Sequence, residues 1–262
     1  MPSVERKIRK NENFARSIVE KSDASSSKIV LALDLDFRQD TSRLYGDAIA
    51  ILNKTEKYLC SVKLNFHLIM PLSLAELTTL NGRISSLGLT SIADIKLNDI
   101  ANTNRVATEY LWKAGFSAVI ANPFVGYEEG LDVVLERAHL MGKGVILLGY
   151  MSHKGAREGY DLKLAESRKM YELMLSRARR WKADGVIVGT TRPEKISRAR
   201  KILGSKVKIF SPGSGAQGGN PMKALEAGSD YLIFGRSIVQ SENPGEAVRE
   251  IYRSQLAWRD NR

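Results

Sequence analysis

Short apolar runs rich in β-branched residues alternate with longer stretches of helical period along nearly the whole chain. The runs fall at 29–35, 59–64, 90–96, 118–121, 145–150, 185–188, 207–210 and 231–234. Helical patterns lie between and after them, at about 41–55, 73–86, 103–114, 128–141, 160–182, 193–203, 220–227 and 244–258. Strands that alternate with helices, with no long linker or composition break, indicate a parallel α/β architecture. Eight such units in 262 residues predict a closed (β/α)8 TIM barrel rather than an open sheet. Residues 28–262 are read as a single barrel domain and residues 1–27 as an N-terminal helical extension. Within that extension 4–22 is amphipathic, with Ile8, Phe14, Ala15, Ile18 and Val19 on its packing face, and it is expected to cover the barrel bottom or an edge.

The 43% hydrophobic content suffices for one large core. The single cysteine, Cys60, excludes an internal disulfide framework and fits a reducing compartment. Set among Tyr58, Leu59 and Val62, it reads as a buried thiol rather than a nucleophile. No apolar run approaches the roughly 20 residues needed to span a bilayer, and the polar N-terminus lacks a signal-peptide core. No membrane partner is expected, and the location is read as cytoplasmic. The net charge of +11 is concentrated in residues 157–208, where fifteen Lys/Arg face six Asp/Glu. Basic patches attract nucleic acid, but Leu164, Tyr171, Leu175 and Ala178 recur at helical spacing through this run. A solvated outer helix face accounts for it better, and no nucleic-acid partner is expected.

Barrel enzymes carry their chemistry at the C-terminal ends of the strands. The first strand ends in Asp34 and the second in Lys63. The third supplies Asp94 and Lys96, two apart and therefore on one face, and its loop supplies Asp99. Alone, the run Asp94-Ile95-Lys96-Leu97-Asn98-Asp99 could be a solvated ion pair at a strand tip. Acids and bases from three adjacent strands at one mouth are harder to explain structurally, because desolvated charges are costly unless paired. After the seventh strand, Ser211-Pro212-Gly213-Ser214-Gly215-Ala216-Gln217-Gly218-Gly219-Asn220 opens a helix, and Gly235-Arg236-Ser237 follows the eighth. Glycines let backbone N–H groups approach an anion, and an arginine fork suits phosphate. A phosphate site spanning these two loops is expected. Ser152, after the fifth strand, could hydrogen-bond a heterocycle. His153 reads as a loop residue, and His67 and His139 as packing residues. No transition-metal site is expected.

Together Leu33-Asp34, Val62-Lys63, Asp94-Ile95-Lys96-Leu97-Asn98-Asp99-Ile100, Met151-Ser152-His153, Pro212 to Gly219 and Gly235-Arg236-Ser237 resemble orotidine 5'-phosphate decarboxylase of the short archaeal type, from about residue 28 to 255. The resemblance implies a homodimeric barrel that converts orotidine 5'-monophosphate to UMP in pyrimidine synthesis without metal or organic cofactor. It implies that Lys96 faces the pyrimidine C6 and donates the proton, with Asp94 beside the departing carboxylate. Lys63 and Asp34 would complete the array and bind ribose. Asp99 would reach across a dimer interface, with Thr103 joining the ribose contacts. Ser152 would bind the pyrimidine, with Pro212, Gly213, Gln217, Gly235 and Arg236 lining the phosphate end.

Ala101, Lys154 and Asn65 depart from the family's proline, proline and glycine, removing no charged group but altering loop rigidity. Sugar-phosphate decarboxylases and hexulose-phosphate synthases resemble the chain at D-x-K-x-x-D but use Mg2+ to stabilise an enediolate. The Ala-Gln-Gly-Gly, Gly-Arg-Ser and Met-Ser-His segments favour the orotidine enzyme. A non-enzymatic nucleotide-binding barrel would have no need of Asp94 beside Lys96.

Overall fold

The computed structural model describes residues 13–36, 41–215 and 218–261. Among them, β1 (Ile29–Ala32), β2 (Ser61–Asn65), β3 (Thr90–Leu97), β4 (Ala118–Ala121), β5 (Gly144–Tyr150), β6 (Gly185–Val188), β7 (Lys208–Pro212) and β8 (Tyr231–Phe234) pair in sequence order. β8 returns to β1, closing a parallel (β/α)8 barrel. The runs are apolar on both faces because each strand is covered twice. Val30, Ile92, Ile120, Ile146, Leu148, Phe210 and Tyr231 belong to the inner core, whereas Leu31, Val62, Ala93, Val119, Leu147 and Leu232 pack beneath the helices.

Those helices are α1 (Phe14–Ser25), α2 (Leu44–Thr55), α3 (Phe66–Ile69), α4 (Leu74–Ser86), α5 (Ala101–Lys113), α6 (Asp132–Leu140), α7 (Ala156–Tyr160), α8 (Met170–Arg180), α9 (Pro193–Leu203), α10 (Pro221–Glu226), α11 (Arg236–Val239) and α12 (Pro244–Asp260). Local chemistry sets their starts. Ser73 and Glu76 form a reciprocal capping box on α4, and Asn243 caps α12 with Pro244 at its first position.

α1 closes the bottom of the barrel. Asn13 caps it, and Phe14 and Ile18 enter the inner core. Phe14 lies against Gly144 at the start of β5, where a Cβ would fall 2.1 Å from its ring. Ile8, assigned to the same packing face, lies outside the described residues.

The sequence pattern differs from the structure at 160–182, where one helix was expected. The chain leaves α7 at Asp161, forms an antiparallel bridge between Lys163 and Lys169, and starts α8 only at Met170. Asp161 causes the break: its carboxylate accepts from Tyr150 Oη (2.9 Å), Lys195 Nζ (2.6 Å) and Lys169 Nζ (3.2 Å). Burial alone would raise the Asp161 carboxyl, but these donors outweigh it and bring it down to about 2. His67 and His139 also depart from expectation, since each is exposed. In α3 Leu68 is buried with Ile69 packed partly buried beside it, and in α6 Val134, Leu135 and Ala138 occupy the buried face.

Candidate active site

At the C-terminal mouth a cavity of about 220 Å³ opens above an apolar floor that includes Ala32, Ile120, Leu148, Ile187 and Ile233. Parallel pairing sets Ala32 and Ile92 beside Lys63 and Asn65 beside Asp94, so Lys63 rises from two residues below Asp94, and Asp34, read from sequence as the end of the first strand, stands two residues beyond β1. Four charges there form an unbroken chain. Lys63 Nζ lies 3.3 Å from Asp34 Oδ1 and 2.8 Å from Asp94 Oδ2, and Lys96 Nζ lies 2.7 Å from Asp94 Oδ1.

The inner members of this chain are sealed and the outer ones open. The side chains of Lys63 and Asp94 are 7% and 10% exposed, those of Asp34 and Lys96 30% and 35%. Burial opposes ionisation of Asp94, but Lys63 and then Lys96 outweigh it and hold the carboxyl below its ordinary value. Burial would likewise lower the Lys63 ammonium, yet Asp94 and Asp34 hold it above its ordinary value. Each inner charge is thus kept ionised by two neighbours of opposite sign.

Lys96 is placed by an irregularity. The β3–β4 register shifts between Ala93 and Leu97, and Lys96 adopts a left-handed φ of 47°. That conformation costs a non-glycine residue about 1 kcal/mol or more. Bulges re-aim side chains, and this one brings the ammonium over the mouth onto Asp94.

The anion end is built from β7 and β8. Pro212 closes β7, and Gly213, Gly215 and Gly218 follow with φ of 97°, 75° and 78°. The loop bonds to itself through Gly219 N to Gly213 O and Gly218 N to Gly215 O. Thr190, at the end of β6, donates both N–H (2.8 Å) and Oγ1 (3.1 Å) to Pro212 O. Gly219 rests on Thr190, where a Cβ would meet Oγ1 at 2.0 Å. Gly235 stands where a Cβ would lie 3.1 Å from Asp34 Oδ2, joining the anion end to the charged array. Arg236 lines the same cavity.

Ser152 enters from the opposite rim. Its loop packs on Gly189, and its carbonyl accepts from Thr191 Oγ1 at 3.2 Å. Of the residues selected from sequence, Asp34, Lys63, Asp94, Lys96, Ser152, Pro212, Gly213, Gly235 and Arg236 therefore meet around one cavity. Asp99 and Thr103 do not: each is exposed, beyond the end of β3 and in the first turn of α5. Gln217 lies outside the described residues. The sequence reading missed Thr190 and Thr191, whose only signal was their position after β6. It also missed the cavity-lining Asn65 and Ser214 as site residues. Among the described residues no three His, Cys, Asp or Glu side chains gather as a metal-holding group, and no helix is long and apolar enough to cross a membrane.

Residues 27–251 match the orotidine 5'-phosphate decarboxylase / HUMPS family. Similar proteins include orotidine 5'-phosphate decarboxylase of Pyrococcus abyssi, 39% identical with 86% of this chain and 97% of the relative covered. The crystal structure of orotidine 5'-monophosphate decarboxylase from Methanocaldococcus jannaschii, complexed with the inhibitor BMP, is 27% identical with a TM-score of 0.73, over 87% of this chain and 97% of that one. The fold is also that of Leishmania donovani OMP decarboxylase, with a TM-score of 0.82 at 22% identity over 94% and 99% of the two chains.

Proposed function

This chain belongs to the orotidine 5'-phosphate decarboxylase / HUMPS family and is an enzyme, and from that premise we propose that it converts orotidine 5'-monophosphate to UMP and CO2 through a C6 carbanion. The observation that carries this reading is the alternating chain Asp34–Lys63–Asp94–Lys96. Loss of CO2 leaves an electron pair at C6 in the plane of the pyrimidine, where the ring π system does not delocalise it. Stabilisation must then come from fixed charge aimed at that atom. The Lys96 ammonium supplies it and passes its proton to C6, so that one group offsets the charge and completes the product. Asp94 puts a carboxylate beside the leaving group, so departure of CO2 relieves a like-charge contact. Lys63 keeps Asp94 ionised, and with Asp34 it meets the ribose hydroxyls. Ser152 hydrogen-bonds the pyrimidine, while Pro212, Gly213, Gln217, Gly235 and Arg236 form the phosphate grip. Binding energy gathered at the phosphate, remote from C6, then serves the chemical step.

The working unit is proposed as a homodimer with Asp99 and Thr103 completing the partner's site. Residues 28–262 form the catalytic barrel and 1–27 its extension. The buried, unpaired Cys60 fits a cytoplasmic setting, as does the place in pyrimidine synthesis that the activity implies.

The family also contains sugar-phosphate enzymes, so the decisive experiment addresses both substrate and metal. Purified protein treated exhaustively with EDTA should still abolish the orotate absorbance of orotidine 5'-monophosphate at an undiminished rate, because lysines supply the positive charge. Activity that disappears with EDTA and returns with Mg2+ would instead support an enediolate mechanism. A second prediction concerns the phosphate grip. Arg236→Ala removes a charge-assisted contact worth about 1.5–3 kcal/mol. It should lower kcat/KM for the nucleotide at least tenfold, leaving that for orotidine, which has no phosphate, nearly unchanged. Equal losses on the two would show that Arg236 acts on the fold.

A further inference from the structure

Behind the Ser152 rim, where Tyr150 packs beneath the helices, lies a charged cluster with no task in the chemistry proposed so far. Asp161, in the chain between α7 and α8, is its centre. Its Oδ2 accepts from Tyr150 Oη at 2.9 Å, and its Oδ1 accepts from Lys195 Nζ at 2.6 Å and Lys169 Nζ at 3.2 Å. The Lys195 side chain is 11% exposed, and its ammonium stands 5.2 Å and 4.4 Å from the ring centres of Tyr150 and Tyr171. Drawing a lysine this far out of water is costly, and a carboxylate together with aromatic faces offsets it.

Two of these donors belong to segments that build the rim. Tyr150 ends β5 two residues before Ser152, and its carbonyl accepts from Gly189 N at 2.9 Å. Lys195 lies in the first turn of α9, four residues after Thr191, whose Oγ1 donates to Ser152 O at 3.2 Å. Asp161 therefore closes a ring that runs from Tyr150 through Ser152 and Thr191 to Lys195. The rim needs a brace of this kind. The β5–β6 register shifts there, Leu148 pairing with Ile187 but Tyr150 with Val188, and Met151-Ser152-His153-Lys154-Gly155 has no proline to fix a φ. Ser152 is nevertheless closely seated: a Cβ on Gly189 would fall 2.7 Å from its Cα.

We infer that Asp161 is a positioning residue for the reaction: through Tyr150 and Lys195 it fixes the ends of β5 and β6 against each other and so holds Ser152 in place for the pyrimidine. The inference rests on reading Ser152 as a contact to the substrate's base. Asp161 does not line the cavity, so its influence on turnover passes through Ser152. Two residues that act through one contact are non-additive, whereas independent contributions to the fold add.

The test is Tyr150→Phe, which removes one bond to Asp161 and keeps both the ring and the ion pairs. kcat/KM should fall about three- to tenfold for orotidine 5'-monophosphate and by a similar factor for orotidine, because the base is common to them. In a Ser152→Ala background the same change should cost less than about twofold. Asp161→Asn should show this pattern with a larger loss; where that chain fails to fold, Tyr150→Phe decides. Hydrogen exchange supplies a readout independent of turnover: backbone amides of 151–156 should exchange faster in the variant, with those of 94–100 unchanged. Equal losses in the two backgrounds, or no loss in either, would overturn the inference. Should the wild-type protein be inert toward the nucleotide, the substrate reading fails and exchange alone decides: faster exchange confined to 151–156 keeps Asp161 as the brace of this rim, and unchanged exchange removes it.

Discussion

Lys96→Ala should reduce turnover of orotidine 5'-monophosphate by roughly 10⁴-fold or more while leaving UMP binding measurable. Two contributions vanish with one ammonium. A preorganised charge opposite developing negative charge is worth about 10²–10³ in rate, and a positioned general acid about 10²–10⁴. In the mechanism proposed above the same atom performs these tasks in sequence, so the losses would compound. The fold should tolerate the change, because Lys96 is half-exposed and alanine meets the same left-handed backbone cost that lysine already bears. Asp94 would keep Lys63 at 2.8 Å but lose its second cation, so its carboxyl should move up from its present depressed value. Lys96→Arg should not restore activity: a guanidinium holds its proton too tightly to deliver it to C6. Single-turnover decay of the orotate absorbance is the measurement. A loss below a hundredfold, with thermal stability intact, would remove Lys96 from the proton-transfer role.

How much of this was legible in the sequence differs from feature to feature. The barrel was, since strands buried on two sides must be apolar throughout and the helices between them must be amphipathic. Three of the eight runs, at 118–121, 185–188 and 231–234, coincide with their strands to the residue. Asp94 and Lys96 were paired by simple alternation, although a bulge and a left-handed residue that alternation does not contain set their contact. What escaped depends on contacts between distant parts of the chain. Nothing local to 160–182 announces that Asp161 will be held by Tyr150 and Lys195 and so end the helical pattern. Thr190 and Gly219 likewise acquire meaning only when β6 and β7 stand side by side. His67 and His139 show the converse, where an apolar neighbourhood in sequence lies on one face of a helix and the histidine on another.

Asp99 sits outside the cavity formed by its own chain, and this leads to the prediction with the clearest outcome. Mixed refolding of two crippled chains should restore activity that neither has alone. Asp99 is exposed, three residues beyond Lys96, with Ile100 beside it 65% exposed. Met70, Tyr110 and Phe124, from the units following β2, β3 and β4, are also exposed large apolar residues. Apolar side chains standing on three consecutive units suit a second copy of the chain, and a two-fold contact would carry each Asp99 toward its partner's mouth. If so, Asp99→Ala and Lys96→Ala damage different chains of any one site. In a heterodimer of the two variants, one site unites an intact Lys96 with the other chain's Asp99, and the opposite site lacks both. Random pairing at equal concentrations makes half the dimers mixed and half their sites whole, so the mixture should recover roughly a quarter of the wild-type rate. Each homodimer, refolded alone, should remain inactive. No recovery in a mixture shown to contain heterodimers, beside wild-type chains that refold to full activity, would return Asp99 to its own barrel.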